Sequence, residues 1–141
     1  MILLTSAGCA SLGGDSDIQR GPESAVVAPA GYTAEIHAAY WTAAAALEKL
    51  GYAVKNRVRR VDIQTDNLIK GPTGKWGFAS SASPTGVAGG TASPSAICLA
   101  APAGKIYPGV AAHEWAHAIL YANGVHDVGL HHDIMRKAGF P

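Results

Sequence analysis

His113-Glu114-Trp115-Ala116-His117 lies inside the apolar run from Val110 to Ala122, and the fold turns on how this stretch is read. Its pattern is H-E-x-x-H. On an α-helix, residues four apart share a face, about 5.4 Å apart along the axis. His113 and His117 can therefore aim two imidazole nitrogens at one metal ion. Glu114 sits beside them, placed to reach a water at the metal rather than the metal itself. That is the arrangement of a zinc hydrolase with Glu114 as general base. The competing reading is an ordinary helix with two surface histidines. The flanks argue against it: Val110-Ala111-Ala112 and Ala118-Ile119-Leu120 are apolar on nearly all sides, as in a buried helix. Histidine and glutamate buried there are costly without a partner, and a metal supplies one.

The third ligand must come from downstream. No glutamate follows Glu114, which excludes a downstream glutamate ligand. The compact H-E-x-x-H-x-x-G-x-x-H pattern is also absent, because Leu120 and Asn123 occupy its glycine and last histidine positions. Asn123-Gly124 is a helix stop, with Gly124 suited to the left-handed conformation. The helix would end about 9 Å beyond His117 along its axis, at 1.5 Å per residue. His126 follows directly and starts too far away. A returning second helix brings His131 and His132 back to the level of His117. His131 is preferred, then His132, while His126 and Asp127 read as partners of a ligand or as ordinary loop residues.

The run from His113 to Leu120, followed by Leu130-His131-His132-Asp133-Ile134-Met135, resembles the SprT-like zinc metallopeptidases. In that family a third histidine opens the helix after the H-E-x-x-H helix, and a large apolar residue stands four positions beyond it. Met135 would fill that place after His131, although the family's glycine following the third histidine is His132 here. The resemblance implies a zincin catalytic core over about the last forty residues. The DNA-linked roles of some members are not expected.

With zinc held by His113, His117 and His131, one position is left for water, whose pKa falls toward about 7. Glu114 then takes the water proton and returns it to the leaving amine of a cleaved peptide bond. Tyr121 and Tyr107 are the candidate oxyanion donors. The expected partner is a protein or peptide substrate. Two alternatives remain open at this stage. One is a non-catalytic zinc-binding lipoprotein of the cell envelope. The other is an interaction module without metal.

Composition bounds the rest. A chain of 141 residues suits one domain, and 48% hydrophobic residues suffice for a core. A net charge of +1 gives no case for a nucleic-acid partner. The basic cluster Lys55, Arg57, Arg59 and Arg60 reads as a solvated strand face. Residues 1–9 are apolar, end in small residues before Cys9, and resemble the tail of a bacterial lipoprotein signal. A lipidated Cys9 would tether the protein to a membrane in the cell envelope, followed by a flexible linker over residues 10–31. No stretch reaches the roughly 18 continuous apolar residues of a spanning helix. Cys98, the other cysteine, reads as a buried small hydrophobe.

The domain proper, residues 32–141, is expected to be α+β: a minimal zincin-like domain with an N-terminal helix, a small three-stranded sheet, the H-E-x-x-H helix and a C-terminal helix. The first helix spans Thr33 to Leu50, with Ile36, Tyr40, Ala43, Leu47 and Leu50 toward the core. Strands are expected over Ala53–Gln64, with a bulge near Arg59-Arg60, and over Lys75–Ser80 and Ala96–Ala100. Ala82–Pro94, rich in Gly, Ser and Thr, reads as a loop over the cleft. Ala96–Ala100 is the expected sheet edge, onto which a peptide could add as a strand. Pro108 is expected in the first turn of the motif helix.

Overall fold

Three apolar stripes, on two helices and a strand, build the centre of the molecule. The computed structural model describes residues 18–72, 74–78 and 89–141. Helix α1 runs Thr33–Glu48 and buries Ile36, Tyr40, Ala43, Ala44 and Leu47, the expected helical spacing. It ends before Leu50, which is 43% exposed and does not reach the core. Helix α2 is Val110–Ala122, the apolar run itself. Trp115 is buried between α1 and α2: its ring meets Tyr40 edge-on at 4.9 Å, and its Nε1–H donates to the Ile36 carbonyl at 3.1 Å.

The strands are β1 (Val26–Ala28), β2 (Arg60–Gln64), β3 (Ile69–Lys70), β4 (Trp76–Gly77), β5 (Gly89–Ser93) and β6 (Ala96–Ala100). The main sheet has the order β1-β2-β6-β5, with β1, β2 and β6 parallel and β5 antiparallel to β6. β3 and β4 form a separate antiparallel pair. On one face, Val27, Val61, Ile63, Ile97 and Leu99 join the helices in the main core. On the other, Cys98 and Ala100 pack with Phe78, which follows β4. The α+β class is as expected.

Several expectations change. β6 is an inner strand, buried at all five residues, and β5 and β1 are the edges. β5 lies in the stretch read as a loop because Gly89-Gly90-Thr91 carries almost none of the β-branched or apolar signature of a strand. Gly89 serves close approach instead: a Cβ there would lie 2.6 Å from Val110 Cγ1 and 3.1 Å from Glu114 Cγ. β1 falls within residues read as linker, held by its pairing with β2. β2 starts only at Arg60, where the alternation changes parity. The residues before it are organised by buried Asn56, whose Oδ1 accepts from the Val58 amide at 2.8 Å. Pro108 lies outside α2, which opens at a left-handed Gly109. Cys98 is fully buried and is not a free thiol. The Cys9 signal and residues 10–17 of the expected linker lie outside the described residues. Among the described residues no helix is long and apolar enough to cross a membrane.

The C-terminal end of α2 is secured as its sequence predicts. Gly124 has φ +83°, and Asn123 bridges to Ala53 through both amide atoms, at 3.0 Å each. The chain then returns as α3, Val128–Lys137, whose N-cap Asp127 accepts from the Leu130 amide at 3.3 Å. Asp127 is therefore a capping residue, of a kind that contributes about 1 kcal/mol.

Candidate metal centre

α2 fixes the first pair of site residues by its own periodicity. His113 and His117 lie one turn apart, and their Nε2 atoms approach to 3.2 Å. α3 supplies a third imidazole, and it is His132. One nitrogen from each of His113, His117 and His132 lies within 4.8 Å of the others. The preferred third residue, His131, is not in that trio. On α3, His131 shares its stripe with Ile134 and Met135, three and four positions on, and that stripe is buried in the core. His131 is carried inward with it and is fully buried. Its Nδ1 is 2.9 Å from Nδ1 of His117, and its Nε2 is 2.6 Å from the Val125 carbonyl oxygen. His132, about 100° further round the helix, turns toward His113 and His117 instead. Four positions beyond His132 stands Arg136, which is exposed, so the apolar position of the SprT-like pattern matches His131 and not the histidine in the trio.

The trio opens on a cavity of about 280 Å³, lined also by Gly89, Gly90, Thr91, Glu114, Tyr121 and Val128. β5 therefore forms one wall. The Thr91 hydroxyl donates to Glu114, with Oε1 at 2.9 Å and the backbone carbonyl at 3.1 Å. Thr91 and the two glycines were missed in the sequence because nothing local marks them. The Gly-Gly pair, read as a place of close backbone approach, is the one available signal. Tyr121 lies on the cavity wall with its ring edge-on to His131 at 4.6 Å. Tyr107 is engaged elsewhere, its hydroxyl accepting from the Trp76 amide at 2.8 Å. His126 is exposed and outside the trio.

Burial sets the charge states. It lowers the pKa of His117 to about 3, with further lowering from His113, His131 and His132. Burial also lowers His113 and His131. The neutral imidazole that burial favours at His113 and His117 offers a lone pair, the form in which histidine binds metal. Zinc–imidazole bonds of about 2.0–2.1 Å in a tetrahedron place neighbouring nitrogens roughly 3.3 Å apart, close to the observed His113–His117 spacing. An all-nitrogen donor set favours zinc and its transition-metal neighbours over calcium or magnesium. Burial drives Glu114 the other way, up to about 7, and the Thr91 hydrogen bond draws it back down.

These shifts oppose one another in the stability of the metal-free protein. Each histidine whose folded pKa lies below its unfolded value makes the fold less stable as pH falls below about 6.5. Glu114 is raised from 4.5 to about 7, so the native state binds its proton first and gains stability as pH falls through that window. Glu114→Gln removes this offset. With chelator present, the variant should lose on the order of 3 kcal/mol more than the unsubstituted protein between pH 7 and 4.5. Urea midpoints across that range test it, and parallel profiles for the two proteins would refute it.

No protein-family model matches the chain, and neither does any curated protein or solved structure. The SprT-like resemblance therefore rests on the residues alone.

Proposed function

We propose that this protein is a zinc-dependent peptidase whose ion is held by His113, His117 and His132. One observation carries the reading: three imidazoles converge on the wall of an open cavity, beside the buried carboxylate of Glu114. A purely structural site needs no free carboxylate at that place. Zinc bound there would supply Lewis acidity and make water nucleophilic near neutral pH. Glu114 faces the same cavity, and its raised proton affinity suits it to take the water's proton and pass it to the departing amine. Thr91 holds one carboxylate oxygen, leaving Oε2 for that transfer. Tyr121, on the cavity wall, is the candidate donor to the developing oxyanion. β5 offers an edge along the cavity on which an extended peptide could be held by main-chain hydrogen bonds. Action outside the cytosol, in the cell envelope or beyond it, is part of the proposal, since a Cys98 that is not a free thiol suits an oxidising compartment.

Elemental analysis tests the site, and peptide cleavage tests the chemistry. The expected result is about one zinc per chain, lost in His113→Ala, His117→Ala and His132→Ala, with cleavage of a mixed peptide library that stops on zinc removal. Bound zinc without any cleavage would favour the non-catalytic zinc protein. No zinc after reconstitution would leave the interaction module.

A further inference from the structure

We infer that His131 is a positioning residue, which fixes the metal-binding tautomer and ring orientation of His117 through a hydrogen-bond chain ending at the Val125 carbonyl. The inference rests on the metal site proposed above but stands on different atoms. His131 is fully buried, yet both of its ring nitrogens have partners. A carbonyl oxygen only accepts, so the hydrogen in the 2.6 Å contact belongs to His131 Nε2. A neutral imidazole carries one N–H, so His131 Nδ1 is an acceptor. The hydrogen in the 2.9 Å Nδ1–Nδ1 contact therefore comes from His117. That assignment leaves His117 Nε2 with a bare lone pair, and Nε2 is the atom that approaches His113. The chain of donors thus runs from His117 to His131 to Val125 and points the free lone pair at the trio.

Metal-bound histidines usually donate their second N–H to a carboxylate or a main-chain carbonyl. Here an imidazole stands between the ligand and the carbonyl. It orients His117 without placing a negative charge beside the ion. Its own position is held from both sides: the Tyr121 ring packs edge-on against it, and Ile134 and Met135 anchor the same helical stripe. The two adjacent histidines then divide the work, with His132 a ligand and His131 acting through His117.

Two measurements on the full chain test this. Long-range ¹H–¹⁵N correlation spectra of the metal-free protein should show His117 protonated at Nδ1 and His131 at Nε2. A His117 protonated at Nε2 would overturn the inference, and no variant is needed to see it. Zinc affinity should then be measured by chelator competition in folded His131→Phe and His131→Asn. His131→Phe should still bind one zinc per chain, but about 10- to 100-fold more weakly. His131→Asn, which restores an acceptor near the Nδ1 position, should recover most of that loss. Unchanged affinity in His131→Phe would overturn the inference and leave the metal site standing. Complete loss of zinc in folded His131→Phe would also overturn it, by making His131 a ligand. If the unsubstituted protein shows the expected tautomers but binds no zinc, the metal reading fails, and with it the metal-orienting role of His131.

Discussion

Glu114→Gln should retain zinc and lose peptide hydrolysis by about 10²- to 10⁴-fold, the range for removing a general acid–base group. The substitution is nearly isosteric. Its amide oxygen can still accept from the Thr91 hydroxyl, which is 2.9 Å from Oε1 in the native protein. The close approach of β5 at Gly89 also survives, because the side chain keeps its shape. None of His113, His117 and His132 is touched, so zinc content should remain near one per chain. What is lost is the ability to hold a proton in transit. A carboxyl pushed up to about 7 by burial can accept a proton from water and release it near neutral pH, and an amide cannot. Cleavage rate and zinc content measured on the same preparation decide the matter. Full activity in the variant would refute the proposed chemistry, whereas loss of zinc would show that Glu114 supports the site structurally.

Trp115→Ala should be the most damaging single change to the fold, at about 3–5 kcal/mol for a large buried aromatic. Trp115 is 1% exposed and fills the space between α1 and α2. Truncation opens a cavity, removes the edge-on contact with Tyr40 and abolishes the bond to the Ile36 carbonyl. Against a total stability of about 5–15 kcal/mol, this is a large share of what holds the domain folded. Trp115→Phe keeps most of the apolar area and loses the N–H donor, so it should cost much less. Urea unfolding of both variants checks the order, and a loss below about 1 kcal/mol in Trp115→Ala would show that the α1–α2 contact is not central. The consequence extends to the site, because Trp115 lies between His113 and His117 in sequence and its insertion sets the roll of α2. That roll turns the histidines and Glu114 toward β5 and α3.

The parts legible in the sequence are those with a local cause. The 3.6-residue period placed α1, the apolar run around H-E-x-x-H placed α2, and the local signal at Asn123-Gly124 placed the turn after α2. The H-E-x-x-H spacing is likewise a property of one helix, so His113, Glu114 and His117 needed no tertiary information to be grouped. The strands were harder to read. β5 has a glycine-rich sequence chosen by the space left beside Val110 and Glu114, and that space exists only once α2 packs on the sheet. β1 depends on a partner more than thirty residues away, in β2.

By itself the sequence determined that a buried helix carries two histidines and a glutamate in metal-binding order, and that a second helix returns with more histidines. Only the tertiary structure decided which of those joins the pair. His131 and His132 are neighbours in the chain, but adjacent helical residues point about 100° apart. The roll of α3 chooses between them, and burial of Ile134 and Met135 sets that roll. The same packing brings Thr91 to Glu114 and His131 to His117, contacts that span the fold and therefore leave no mark in any short stretch of sequence.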